Sequence, residues 1–213
     1  MRLKPLSDCS LYTFIDSAYL DGRRPAELAR QLCDGGADII QLRAKDRPAA
    51  DLLTWSREVL PITRQAGVWL VINDHPEVAK EVGADCLHLG QEDFFDSDFQ
   101  LAREVTGGQF ALGLSTHTPD QCLRAIAAKP DYVAVGPVYP TATKPGREAV
   151  TLEYVKWAAA NVSLPWFSIG GITLENVLTV REAGARRICV VGAILRAPDV
   201  ARACRDFRDR ITR

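Results

Sequence analysis

The chain has 213 residues, 47% of them hydrophobic and 25% charged, an ordinary globular composition with room for one sizeable domain or two small ones. Its 26 basic and 27 acidic residues leave a net charge of −1, which gives no electrostatic reason to expect a nucleic acid or membrane partner. Six cysteines without C-x-x-C spacing exclude a zinc knuckle and a redox motif. With no signal peptide read and no apolar run of eighteen residues, a cytoplasmic location is expected.

The first apolar run, 11–16 (LYTFID), ends in Asp16. A helical stretch follows at 25–34, with Leu28, Leu32 and Cys33 on one stripe. The second run, 38–43 (DIIQLR), leads through Gln41 and Arg43 to Lys45. The third, 68–73 (VWLVIN), delivers Asn73 and Asp74, and the fourth, 86–89 (CLHL), delivers Gln91, Glu92 and Asp93. The fifth, 110–115 (FALGLS), gives Ser115, Thr116 and His117. The sixth, 132–135 (YVAV), opens into GPVYPTATKPG with Thr141, Thr143 and Lys144. The seventh, 166–169 (WFSI), is followed by Gly170-Gly171 and the eighth, 188–191 (ICVV), by Gly192. A last helical stretch at 197–211 aligns Val200, Cys204, Phe207 and Ile211.

Most of these runs are continuous rather than alternating, as in strands buried on both faces of a parallel sheet. Pro25, Pro48, Pro76, Pro119 and Pro198 stand near helix starts, where a missing N–H costs little. Gly36-Ala37-Asp38, Gly83-Ala84-Asp85 and Gly184-Ala185-Arg186 each precede a strand, and Pro130-Asp131-Tyr132 holds the equivalent place, in steps of 47, 47 and 54 residues. Each step is about two strand–helix units, with glycine supplying the left-handed turn that ends a helix. Eight such units predict a (β/α)8 TIM barrel, an α/β fold formed as a single domain over 1–213. An open doubly wound sheet would more often carry a G-x-G-x-x-G turn after the first strand, and none is present.

In such a barrel the residues after each strand converge on one mouth. Arg43, Lys45 and Lys144 are cations there, and Asp74 and Asp93 are carboxylates. Cations beside carboxylates suggest a polyanion carried with a divalent metal. Lys and Arg bind phosphate oxygens, and two carboxylates hold Mg²⁺ while phosphates complete its shell. Gly170-Gly171 and Gly192 predict a second anion site built on backbone N–H groups. Each residue also has a plainer reading. An isolated Asp caps helices, a double glycine makes a turn, and Glu92, Asp46 and Arg47 read as surface. His88, mid-strand, reads as a packed and hydrogen-bonded interior residue, while His75 and His117 read equally as site or solvated residues. No nucleophile–base–carboxylate spacing is present.

The motifs QLRAK (41–45), VINDH (71–75), HLGQEDF (88–94), GLSTH (113–117), VGPVYPTATK (135–144) and SIGGI (168–172) resemble those of the thiamine-phosphate synthase family, from about Leu11 to Ile194. That resemblance implies a (β/α)8 barrel, a transferase of thiamine biosynthesis. It would join hydroxymethylpyrimidine diphosphate to hydroxyethylthiazole phosphate and release pyrophosphate, with Mg²⁺ required. By motif, Asp74 and Asp93 would ligate Mg²⁺. Arg43, Lys45, Asn73, Ser115 and Lys144 would hold the diphosphate, and Gln41 would contact the pyrimidine. Thr141, Thr143, Gly171 and the Val191–Gly192 backbone would take the thiazole phosphate. The reaction implied is departure of pyrophosphate followed by capture of a carbocation by the thiazole nitrogen, with no protein nucleophile. Where the family commonly has Val-Ser after the eighth strand, this chain has Val191-Gly192. A sister family, the thiazole tautomerases, includes members with His where this chain has Pro137. A non-catalytic phospho-ligand-binding barrel is the alternative from another class. The partners expected are small molecules, with a homo-oligomer left open.

Overall fold

All eight apolar runs are strands. The computed structural model describes residues 2–141 and 149–212, and in it β1 (Leu11–Asp16), β2 (Ile39–Arg43), β3 (Trp69–Asn73), β4 (Cys86–Leu89), β5 (Ala111–Thr116), β6 (Tyr132–Val135), β7 (Trp166–Ile169) and β8 (Ile188–Cys189) pair in sequence order and close into a barrel. Every pairing is parallel. The helices are α1 (Pro25–Asp34), α2 (Ala49–Ala66), α3 (Pro76–Val82), α4 (Gln91–Phe95), α5 (Ala102–Thr106), α6 (Pro119–Ala127), α7 (Thr151–Asn161), α8 (Val177–Glu182), α9 (Gly192–Leu195) and α10 (Val200–Thr212). Pro25, Pro76 and Pro119 occupy first-turn positions of α1, α3 and α6, as their missing N–H favours.

β2, β3 and β5 shift by one residue at one or both ends, and two boundaries differ by more. The eighth run keeps ladder geometry only to Cys189, although the Val190 N–H still donates to the Tyr12 carbonyl at 2.9 Å. The last helix starts at Val200 rather than 197, because the Asp199 carboxylate accepts from the Arg202 N–H at 2.9 Å and sets the helix start there.

The repeat has a structural cause at the amino ends of the strands. Asp38, just before β2, accepts from the Ser10 and Leu11 N–H groups at 2.8 and 3.1 Å. Asp85, before β4, accepts from Leu70 N–H at 2.9 Å, and Asp131, before β6, from Leu112 N–H at 2.8 Å. Each carboxylate thus ties an even strand to the odd strand before it. The left-handed turn upstream is made by Gly36, Gly83 and Gly184 (φ +82°, +66° and +108°), and by Lys129 (φ +58°) in the fourth copy.

Two of these carboxylates carry opposite pH signatures. Burial raises Asp38, but Lys4 at 2.5 Å and the two N–H groups outweigh it and hold the carboxyl below its ordinary value. Burial raises Asp85, only partly opposed by the Leu70 N–H and Arg64. A depressed folded-state pKa gives stability present above the unfolded pKa and lost as pH falls through the folded one; a raised pKa gives the reverse. Asp38→Asn is therefore expected to lower the urea midpoint at pH 7, with the deficit shrinking below about pH 4. Asp85→Asn, which keeps a carbonyl acceptor, is expected to leave the pH 7 midpoint unchanged or higher. Equal losses at pH 7 would contradict this.

The barrel interior is filled by alternate strand residues. Tyr12, Tyr132 and Phe167 meet edge-to-face at its centre, with ring centroids 5.4–6.0 Å apart. Gly113 makes room for this cluster: a Cβ there would lie 2.1 Å from Tyr132 Cζ, the close approach that a strand glycine signals. Gly113→Ala is expected to cost about 1–3 kcal/mol as an overpacked core, read as a lower urea midpoint; an unchanged midpoint would contradict the packing.

Candidate active site

Above the aromatic cluster, at the carboxyl ends of the strands, lies a cavity of about 500 Å³. The register explains its lining. Phe14 stands beside Gln41 and Asp16 beside Arg43 across β1–β2, and Asn73 stands beside His88 across β3–β4. Gln41, Arg43, Asn73, His88 and Ser115 supply one side of the wall, from β2 to β5. Thr141, Gly170, Gly171, Val191 and Gly192 supply the other, from the segment after β6 to the start of α9.

Arg43 Nη1 donates to Asp16 Oδ2 at 2.8 Å, and Asp16 is fully buried. Asp16 also accepts from Ala18 N–H at 3.0 Å. Its carboxylate is therefore committed to holding the guanidinium at the cavity wall. Ser115 Oγ lies 2.9 Å from His88 Nε2, and the Ser115 carbonyl accepts from Gln91 Nε2 at 2.6 Å. Gln41 Nε2–H donates to the Tyr12 hydroxyl.

Lys45, Asp74 and Asp93 are on the rim rather than in the cavity lining. Strand alternation, which would put residues i and i+2 on one face, does not extend to Lys45, because β2 ends at Arg43. Arg43 turns toward β1, while Lys45 turns toward β3 and pairs with Asp74 at 2.9 Å. Asp74 has a left-handed backbone (φ +61°), and its N–H donates to the His88 carbonyl at 3.0 Å. Asp93, read as a strand-end residue, sits in the first turn of α4. Its Oδ2 accepts from the Gly90 N–H at 3.1 Å, the capping role open to any Asp. Asp74 and Asp93 thus stand at the carboxyl ends of two neighbouring strands. Among the described residues no cluster of three His, Cys, Asp or Glu side chains gathers as a metal centre.

The glycines divide into two kinds. A Cβ on Gly170 would come within 2.4 Å of Pro137, and one on Gly171 within 2.6 Å of Tyr139, so both are required by the segment that crosses them. The atoms nearest to a Cβ on Gly192 would be those of Tyr19, its hydroxyl at an ordinary 3.6 Å. Thr141 lines the cavity, whereas Thr143 and Lys144 lie outside the described residues. Glu92, Asp46 and Arg47 are exposed, and Asp46 accepts from the Ser17 hydroxyl. His75 precedes α3 and pairs with Glu77 at 2.8 Å, away from the lining. His117 lines the cavity, with Nδ1 2.5 Å from the Gly136 carbonyl.

Sequence reasoning missed three parts of the cavity. Tyr12 and Phe14 lie within the first run, and their inward alternation was the available signal. Arg196, just after α9, lines the cavity with its guanidinium 4.9 Å from the Tyr19 ring centroid. His88 is buried and hydrogen-bonded as expected, and it also reaches the cavity.

A closed parallel barrel with a cavity at the carboxyl ends of the strands belongs to the class of (β/α)8 enzymes, whose active sites lie at that face. Within that class, the thiamine monophosphate synthase family model matches residues 11–194, and the chain belongs to that family. It is 49% identical over 178 residues to a thiamine-phosphate synthase of Thermus thermophilus, covering 83% of this chain and 84% of that one. It is 42% identical over 208 residues to one from Acidothermus cellulolyticus, covering 97% and 96%. The solved thiamine phosphate pyrophosphorylase of Pyrococcus furiosus superposes with a TM-score of 0.86 at 27% identity, over 98% of both chains.

Proposed function

We propose that this chain is a thiamine-phosphate synthase, a transferase that joins hydroxymethylpyrimidine diphosphate to hydroxyethylthiazole phosphate with release of pyrophosphate. The observation that carries this reading is the two-sided cavity. Gln41, Arg43, Asn73 and Ser115 form one wall, and Thr141, Gly171, Val191 and Gly192 the other. Two ligands held against opposite walls meet at the centre, which supplies the orientation that an intermolecular displacement needs.

In this reading Arg43, Asn73 and Ser115 hold the diphosphate, with Lys45 at the rim and Lys144 carried by the motif alone. Gln41 faces the pyrimidine. Thr141, Gly171 and the Val191–Gly192 backbone hold the thiazole phosphate, with Thr143 assigned by motif. The rim carboxylates Asp74 and Asp93 suit Mg²⁺, a hard cation that keeps waters and takes substrate phosphate oxygens. Bound there, the ion would neutralise charge on the departing pyrophosphate. The chain's own contribution is charge stabilisation by Arg43 and Lys45 and alignment by Ser115 and Asn73. No general base is assigned, since the pyrophosphate leaves without one and the thiazole nitrogen attacks with its own lone pair. Pro137, at the cavity wall, offers no titratable group for a tautomerase.

The test is to mix the purified chain with both substrates and follow pyrophosphate release with Mg²⁺ and with EDTA. Release and coupled product only with Mg²⁺ are expected. No product with Mg²⁺ would favour the tautomerase or the phospho-ligand binder. The ordinary contact distance at Gly192 makes a further expectation: Gly192→Ser would add a hydroxyl donor beside the thiazole phosphate. The KM for that substrate is expected to fall by up to about tenfold; a rise would place the phosphate elsewhere.

A further inference from the structure

The cavity floor contains a chain of hydrogen bonds that the proposed chemistry touches only at its two ends. Gln41 Nε2–H donates to the Tyr12 hydroxyl. Tyr12 and Tyr132 hydroxyls are 3.0 Å apart, Tyr132 and His88 Nδ1 are 2.9 Å apart, and His88 Nε2 is 2.9 Å from Ser115 Oγ. Five strands contribute these five side chains, and none is more than 7% exposed.

A hydroxyl has one proton, and so does a neutral imidazole. His88, when it accepts at one ring nitrogen, therefore donates from the other, while each hydroxyl gives its one proton to one neighbour and can accept from the next. Burial pushes both phenols well above their ordinary values, so they keep their protons. One sense satisfies every contact: with the Gln41 amide N–H donating to Tyr12, Tyr12 donates to Tyr132 and Tyr132 to His88 Nδ1. His88 Nε2–H then donates to Ser115, whose own proton is left for the cavity. The Gln41 carbonyl oxygen is left as an acceptor at the other end. His88 couples its two neighbours, because moving its one N–H from Nε2 to Nδ1 reverses both of its bonds.

We propose that His88, Tyr132 and Tyr12 are positioning residues of a one-way relay that sets Ser115 as a donor and Gln41 as an acceptor together. This rests on the reading that places the diphosphate at Ser115 and the pyrimidine at Gln41. Diphosphate oxygens are acceptors and are served by the Ser115 proton. The same sense of the relay selects a pyrimidine that presents a donor group to Gln41, and it disfavours one presenting only acceptors. Substrate choice at one end and leaving-group contact at the other are thereby linked through Tyr12, Tyr132 and His88.

The test compares Tyr12→Phe, Ser115→Ala and the double variant, each checked for native near-UV circular dichroism. Residues in one network are non-additive, while independent ones combine to within about twofold. Each single change is expected to lower kcat/KM for the pyrimidine diphosphate about tenfold or more. The double should lose at least fivefold less than the product of the two, with the KM for the thiazole phosphate unchanged. A product obeyed to within twofold would overturn the relay. His88→Gln, which keeps an amide donor toward Ser115, should retain more activity than His88→Leu; equal losses would count against the stated sense. A direct reading needs no variant. Nitrogen-15 NMR of the wild-type chain with Mg²⁺ and inorganic pyrophosphate is expected to show His88 neutral and protonated at Nε2. Protonation at Nδ1 overturns the proposal even if the enzyme proves fully active, whereas a wild-type chain that makes no product removes the functional reading instead.

Discussion

Asp93→Asn is expected to reduce Mg²⁺-dependent turnover by about a thousandfold, with the fold intact. The effect can be isolated because the cap made by Asp93 and the ion-holding role proposed for its charge differ in size. Its Oδ2 accepts from the Gly90 N–H at 3.1 Å, and removal of such a cap with Ala costs about 1 kcal/mol. Asn keeps an oxygen acceptor for Gly90 and removes only the charge. If that charge holds the ion that stabilises the leaving pyrophosphate, several kcal/mol of barrier go with it, at about 1.4 kcal/mol per tenfold. Thiazole phosphate binding, proposed for the wall formed by Gly171, Val191 and Gly192, should survive within twofold by calorimetry. Glu92→Gln, an exposed acid one residue away, should leave turnover near wild type. Undiminished turnover in Asp93→Asn would leave Asp93 with its cap alone.

The barrel was legible because its signals are local and redundant. Eight apolar runs, prolines at helix starts and the recurring Gly-Ala-Asp all report the same strand–helix unit, and β1, β4, β6 and β7 fall on the predicted residues. The repeat was readable as a period but not as a mechanism. That Asp38, Asp85 and Asp131 bond to a neighbouring strand is a non-local fact. The site was legible to the level of which residues follow which strand. It was not legible in how they pair. Strand alternation fails at Lys45, since the chain has already turned, and it reaches Asp74 instead of standing beside Arg43. The relay through His88 joins residues up to 120 positions apart, a separation no motif spans. Gly113 was the one local clue, an unfilled position inside a strand whose missing side chain makes room for Tyr132.

Arg43→Met is expected to damage stability and turnover for separable reasons. Asp16 is fully buried and Arg43 nearly so, 2.8 Å apart. Removing one partner of such a pair costs about 3–5 kcal/mol, because a buried charge is left uncompensated. At about 2–4 °C per kcal/mol for a chain of this size, the melting temperature should fall by about 6–20 °C. Arg43→Lys keeps a cation for Asp16 but loses the planar fork that suits a phosphate. It should melt within a few degrees of wild type yet lose at least tenfold in kcat/KM for the pyrimidine diphosphate. The double variant Asp16→Leu with Arg43→Met replaces the pair by apolar groups and should recover much of the stability. If Arg43 grips the diphosphate, that recovered fold is inactive. If turnover returns with the fold, Arg43 serves Asp16 only, and the charge on the leaving group must be met by Lys45 and the rim.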